Sequence, residues 1–127
     1  MKNTEEILPS GEWEGFYNYF SGGPKHLMST HLEFSNGRVS GVGNDDVGAY
    51  NWSGFVSAGL KVELKKTYSS HHVFYEGDAD ELGIWGMWSI GSMKGGFHLW
   101  PKKQAVESEE LEMAVEEIAE KQTVLHK

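Results

Sequence analysis

Two side chains of this sequence carry chemistry on a register that otherwise holds apolar residues. Lys66 falls in line with Leu64 and Tyr68, and His71 in line with Val73 and Tyr75. They flank one short turn, Ser69-Ser70, so both belong to the same end of whatever their segments build. Tyr17, Tyr19, Tyr50, Tyr68 and Tyr75 add hydroxyls, and Thr30, Trp52 and Trp88 share their register. An apolar cup with a few convergent polar groups is the usual form of a ligand site. A lysine in such a cup pairs with a ligand carboxylate; in the plain alternative its ammonium snorkels out at the rim. The candidate ligand-binding set is therefore Tyr17, Tyr19, Thr30, Tyr50, Trp52, Lys66, Tyr68, His71, Tyr75 and Trp88.

Other chemistry finds no footing. Cysteine is absent, which removes disulfides, thiolate metal sites and a Cys nucleophile together. His71 and His72 are adjacent in an extended segment and point to opposite faces; His26 and His31 also differ in parity, and no His-x-His pair exists among these, His98 and His126. No metal, haem or other cofactor is expected. Gly41-Val42-Gly43 resembles part of a nucleotide fingerprint but leads into no helix. Asp45-Asp46 and Asp78-Ala79-Asp80-Glu81 read as solvated acidic turns, without the alternation of a calcium loop. Asn51-Trp52-Ser53 fits a glycosylation acceptor but lies in mid-strand. A net charge of -8 speaks against nucleic acid, which needs a basic face. No Ser/His/Asp arrangement can be placed, so an enzyme working through Lys66 or His71 is the least favoured reading.

The elements that must position these residues are strands. The 127-residue length suits one modest core, and no apolar run approaches the ~20 residues of a membrane helix. All 16 glycines and every aromatic residue fall between Gly11 and Trp100. This divides the chain into a polar leader (1–10), a body (11–101) and a tail (102–127). In the body, β-branched and aromatic residues alternate with polar ones over 12–20, 27–35, 38–43, 48–56, 60–68, 72–77, 82–90 and 96–100. Asn36-Gly37 is the strongest hairpin signal, supplying two positive-φ positions. Every connection is too short for a parallel crossover, so the fold expected is mainly β: an eight-stranded antiparallel up-and-down barrel with a C-terminal α-helix. A two-sheet sandwich is the alternative. Parity turns inward Trp13, Tyr17, Tyr19, Met28, Thr30, Leu32, Phe34, Val39, Tyr50, Trp52, Leu60, Val62, Leu64, Val73, Tyr75, Ile84, Trp88, Ile90, Phe97 and Leu99. Gly15, Gly41, Gly43, Gly54, Gly77 and Gly86 sit inside strands, where glycine marks bends and close approach.

Gly11-Glu12-Trp13 with Tyr17, opening an eight-strand meander, resembles the calycin group of lipocalins, fatty-acid-binding proteins and avidins. The resemblance implies that Trp13 closes one end of the barrel. The layout of Gly37-x-x-x-Gly41, Trp52-Ser53-Gly54, Tyr75-Glu76-Gly77 and Trp85-Gly86-Met87-Trp88 is most similar to that of avidins. The biotin contacts of avidins do not map onto this chain strand by strand, so biotin binding is not implied.

In the tail, Ser108 caps a helix and Leu111, Val115, Ile118 and Leu125 recur at helical spacing beside an acidic face. Phe16, Phe20, Trp85, Met87 and Trp100 face outward and offer an apolar patch to that helix, to a second copy or to another protein. The function expected is a non-enzymatic barrel holding a small apolar or amphipathic ligand, without nucleic acid or membrane. The alternative is an interaction or oligomerisation module with a packed barrel as scaffold. The leader has no apolar h-region, which makes a cytoplasmic location the expectation.

Overall fold

The computed structural model describes residues 4–102. A single helical turn, α1 (Thr4–Ile7), precedes β1 (Gly11–Tyr17), β2 (His26–Ser35), β3 (Arg38–Asn44), β4 (Ala49–Val56), β5 (Lys61–Tyr68), β6 (His72–Asp80), β7 (Gly83–Ile90) and β8 (Met93–Pro101). Each strand pairs antiparallel with the next, and β1 closes on β8 with Tyr17 opposite Phe97. The meander is a closed barrel, which leaves no sheet edge. The tail helix expected over 108–125 lies outside the described residues.

Alternation decides the faces. Along β5, Val62, Leu64, Lys66 and Tyr68 are buried while Lys61, Glu63 and Lys65 are exposed. The same rhythm buries the inward residues predicted above, with Leu60 and Ile90 half-covered. Tyr19 departs from it and is 47% exposed. The reason is that β1 stops at Tyr17: the Asn18 amide already bonds the Gly96 carbonyl at 3.0 Å, and beyond it strand parity no longer applies. At the other extreme, β6 runs on to Asp80 and buries Ala79, so the Asp78–Asp80 stretch is strand rather than solvated turn.

Turn chemistry fixes the register. Asn36 and Gly37 take φ of 52° and 78°, as a two-residue hairpin requires. Where β6 and β7 cross, Gly77 faces Gly86, and a Cβ on either would overlap backbone of the opposite strand. These glycines let two bent strands approach more closely than side chains allow.

The barrel has one closed end and one mouth. At the closed end Leu8, from the leader, is fully buried, and Trp13 donates its indole N–H to the Pro9 carbonyl at 2.8 Å. Ser10 ties this segment to β2, its hydroxyl accepting from the Phe34 amide at 2.9 Å. The leader is thus a plug contributing to the core. The connections 18–25, 45–48, 69–71 and 91–92 gather at the opposite end, around the mouth.

Candidate functional site

Lys66 is the centre of the mouth. Inward parity on β5 places it there, and none of its surface is exposed. Its ammonium donates to the Asp45 carboxylate, to the Tyr75 hydroxyl at 3.2 Å and to Met28 Sδ at 3.3 Å. These use all three N–H donors. Five rings surround the same nitrogen, with centroids from 4.2 Å (Tyr50) through Tyr17, Tyr68 and Tyr75 to 5.5 Å (Trp52). All lie within cation–π range. Burial pulls the Lys66 pKa below the ordinary lysine value, against the pull of Asp45. The rim-snorkelling alternative is therefore overturned: the neighbouring rings and Asp45 cover the ammonium.

Asp45 is the residue that the sequence reading missed. Its side chain is as buried as that of Lys66, not solvated as an acidic turn suggests. One carboxylate oxygen accepts the amides of Val47 (2.9 Å) and Gly48 (3.3 Å); the other accepts from Lys66 and the Tyr68 hydroxyl. A signal for it was present. A buried lysine needs a counter-ion, and in the four connections at the mouth the acidic residues are Asp45 and Asp46. Asp46 accepts from the Tyr17 hydroxyl and meets His26 Nδ1 at 2.5 Å, and the His26 ring stacks on Tyr17 at 4.9 Å. Burial raises the Asp46 pKa, but the bonds from Tyr17 and His26 outweigh it and hold the carboxyl low.

Above this pair lies a cup of about 110 Å³. Tyr17, Tyr19 and Trp88 form one wall, ring edge against ring face, with Tyr19 and Trp88 at 5.4 Å. Tyr68 and His71, stacked at 4.8 Å, line it as well, with Val47, Val73, Tyr75, Ile90 and Met93 completing the surface. His71 precedes β6 and is partly exposed at the rim. Larger depressions, of about 890 and 760 Å³, run over the outer wall, open to solvent, and do not include Lys66.

No family model matches this chain, and no curated protein or solved structure is significantly similar to it.

Of the ten candidate residues, Tyr17, Tyr19, Tyr68, His71, Tyr75 and Trp88 meet at the cup. Tyr50 and Trp52 enclose the lysine beneath it. Thr30 touches neither: it accepts the Trp52 indole N–H at 2.8 Å and donates to the Val42 carbonyl at 2.8 Å, holding Trp52 in place. Among the described residues, no group of three metal-ligating side chains comes together, and no buried side-chain N or O atom lacks a partner. With Lys66 fully enclosed, a substrate has no approach to its amine while Asp45 is in position.

Proposed function

We propose that this protein is a non-enzymatic small-molecule-binding barrel, calycin-like in kind, that receives one ring-sized apolar group in the cup at its mouth. The observation that carries this reading is that a cavity walled by aromatic rings opens at the mouth, directly above the buried Lys66–Asp45 pair. A dry cavity of ~150 Å³ admits benzene; the cup, at about 110 Å³ and open at its rim, takes one small ring or branched alkyl group partly inserted. Below it the inward side chains of the described residues form one buried core, which disfavours a long acyl chain threaded through it. Trp88 lines the cup and reports on it. Titration with toluene or indole is expected to give a saturable change in tryptophan emission or in the NMR signals of Trp88. The Val47→Trp variant, made at an exposed cup residue, is expected to reduce affinity at least fivefold with little change in Tm. Cup signals that stay fixed throughout such titrations would remove this reading.

A second reading has its own observation. On the outer wall Phe16, His98 and Trp100 form a ring cluster with centroids 5.1–6.4 Å apart, joined by Trp85, with Met87 exposed nearby. We infer that residues 108–125 form the amphipathic helix that covers this face, in the same chain or in a second copy. Burying Leu111, Val115, Ile118 and Leu125 is worth ~1.5–3 kcal/mol each when complete. Truncation after Lys103 is expected to lower Tm by several degrees or to change the mass in solution. An unchanged Tm together with an unchanged mass would rule the covering helix out.

A further inference from the structure

Resting on the cup reading above, we propose that the position of the Asp45 carboxylate is a receptor for the carboxylate of a small aromatic acid, which the chain fills with its own loop when no ligand is bound. No residue of the wall supplies a counter-ion for Lys66. Its neighbours on the inward register are Met28, Tyr17, Tyr50, Trp52, Tyr68 and Tyr75. The balancing charge arrives from the mouth, on the connection 45–48. Two donors, the Lys66 ammonium and the Tyr68 hydroxyl, converge on one oxygen of that carboxylate. A planar anion satisfies such a pair, and a neutral group leaves the ammonium buried without a counter-charge.

The receptor and the cup are continuous. The rings of Tyr68 and Tyr75 line the cup, while the Tyr68 hydroxyl bonds Asp45 and the Tyr75 hydroxyl bonds Lys66. Val47, two residues after Asp45, is cup wall too. A ring in the cup with a carboxylate directly attached spans both, which sets the ligand class: a ring-sized aromatic monocarboxylate. Side chains tie the loop to the barrel at two points, Asp45 to Lys66 and Tyr68 and Asp46 to Tyr17 and His26, so withdrawal releases both carboxylates together. Besides its bonds to Lys66 and Tyr68, the Asp45 side chain bonds only within its own turn, to the Val47 and Gly48 amides, and the Asp45 amide bonds the Gly48 carbonyl at 3.1 Å. Withdrawal moves Asp45 into water, and the incoming acid keeps Lys66 paired, so neither charge is stranded.

Benzoate and its neutral counterpart benzamide test this on the full-length wild-type chain, followed by tryptophan emission and by the amide signals of Val47 and Gly48. Benzoate is expected to bind at least tenfold more tightly than benzamide and to shift both amides. The Asp45→Asn variant, whose side chain keeps an oxygen for the turn's own bonds while losing the competing charge, is expected to bind benzoate at least tenfold more tightly than wild type, with benzamide unchanged. In the Lys66→Met/Asp45→Asn double variant the preference for benzoate is expected to vanish. Equal, saturable binding of benzoate and benzamide by the wild type would overturn the exchange while leaving the cup reading standing. Binding of neither by a protein that still takes up toluene would overturn the exchange alone, and cup signals that also stay fixed with toluene would overturn both.

Discussion

Lys66→Met is expected to lower Tm by more than about 10 °C. The substitution fills nearly the same volume but leaves Asp45 buried without its ammonium, and removing one partner of a buried pair costs about 3–5 kcal/mol. For a barrel of this size each kcal/mol moves Tm by several degrees, at the upper end about 4–8 °C. The five rings that now face the ammonium within 5.5 Å would face a thioether instead, a further loss of cation–π attraction. Because the penalty is that of a stranded charge, the second substitution is the diagnostic one. Lys66→Met with Asp45→Asn is expected to recover most of the loss, since replacing both members of a buried pair is often close to neutral. Thermal unfolding of the three chains measures this. A single variant that melts within about 2 °C of wild type would show that the pair contributes little to the fold.

The second large effect is alkaline. The phenols of Tyr17, Tyr50, Tyr68 and Tyr75 all have pKa values raised from 10.0, in each case first by burial. Tyr17 and Tyr68 are pushed further by donating to Asp46 and Asp45, and Tyr75 by the charge of Asp45. A phenol with a raised pKa keeps its proton in the fold after the unfolded chain has begun to lose its own. The stability it contributes is whole below pH 10 and drains away as pH rises beyond it. At about 1.4 kcal/mol per tyrosine for each pH unit, four tyrosines withdraw up to about 6 kcal/mol by pH 11. Lys66 acts in the opposite sense. Its pKa is lowered from 10.5, so stability rises with pH between its folded value and 10.5. The phenols outnumber it. Urea unfolding midpoints at pH 8, 9.5 and 11 should fall steeply over the last interval, with tyrosinate absorbance at 295 nm appearing together with unfolding. Ionisation of these four tyrosines ahead of unfolding would show that the mouth is wetter than the structure has it.

The fold was largely legible because a two-residue period and short connections admit few solutions. Asn36-Gly37 announced its own backbone angles, and the inward face of β5 could be read directly from Leu64, Lys66 and Tyr68. Strand ends were less legible. The departure of Tyr19 depends on a hydrogen bond between Asn18 and Gly96, 78 residues apart, which no local pattern encodes. At the mouth the aromatic residues were found by parity, but the acid that completes the site sits in a turn, where parity carries no information. Asp45-Asp46 has the composition of any exposed acidic turn; what separates the two is that one carboxylate bends inward to Lys66 and the other outward to His26. The part that the leader plays in the core was hidden for a related reason. Ile7-Leu8 is a short apolar pair in an otherwise polar stretch, and only closure of the barrel creates the space that Leu8 fills.

The closed end also governs how the molecule can be presented. Thr4 and Lys102 both belong to that end: Leu8 plugs it, and the Lys102 amide bonds the Glu12 carbonyl at the start of β1. Chain that continues from either point sets out from the pole opposite the cup. A tether to a larger assembly, a fused domain or a solid support at these positions would hold the barrel with its mouth turned outward, and two barrels joined there would point their cups in opposite directions. A fusion made directly at Thr4 or Lys102 therefore sets out from the end away from the cup, whereas one inserted in 45–48 would take the place of the loop it replaces.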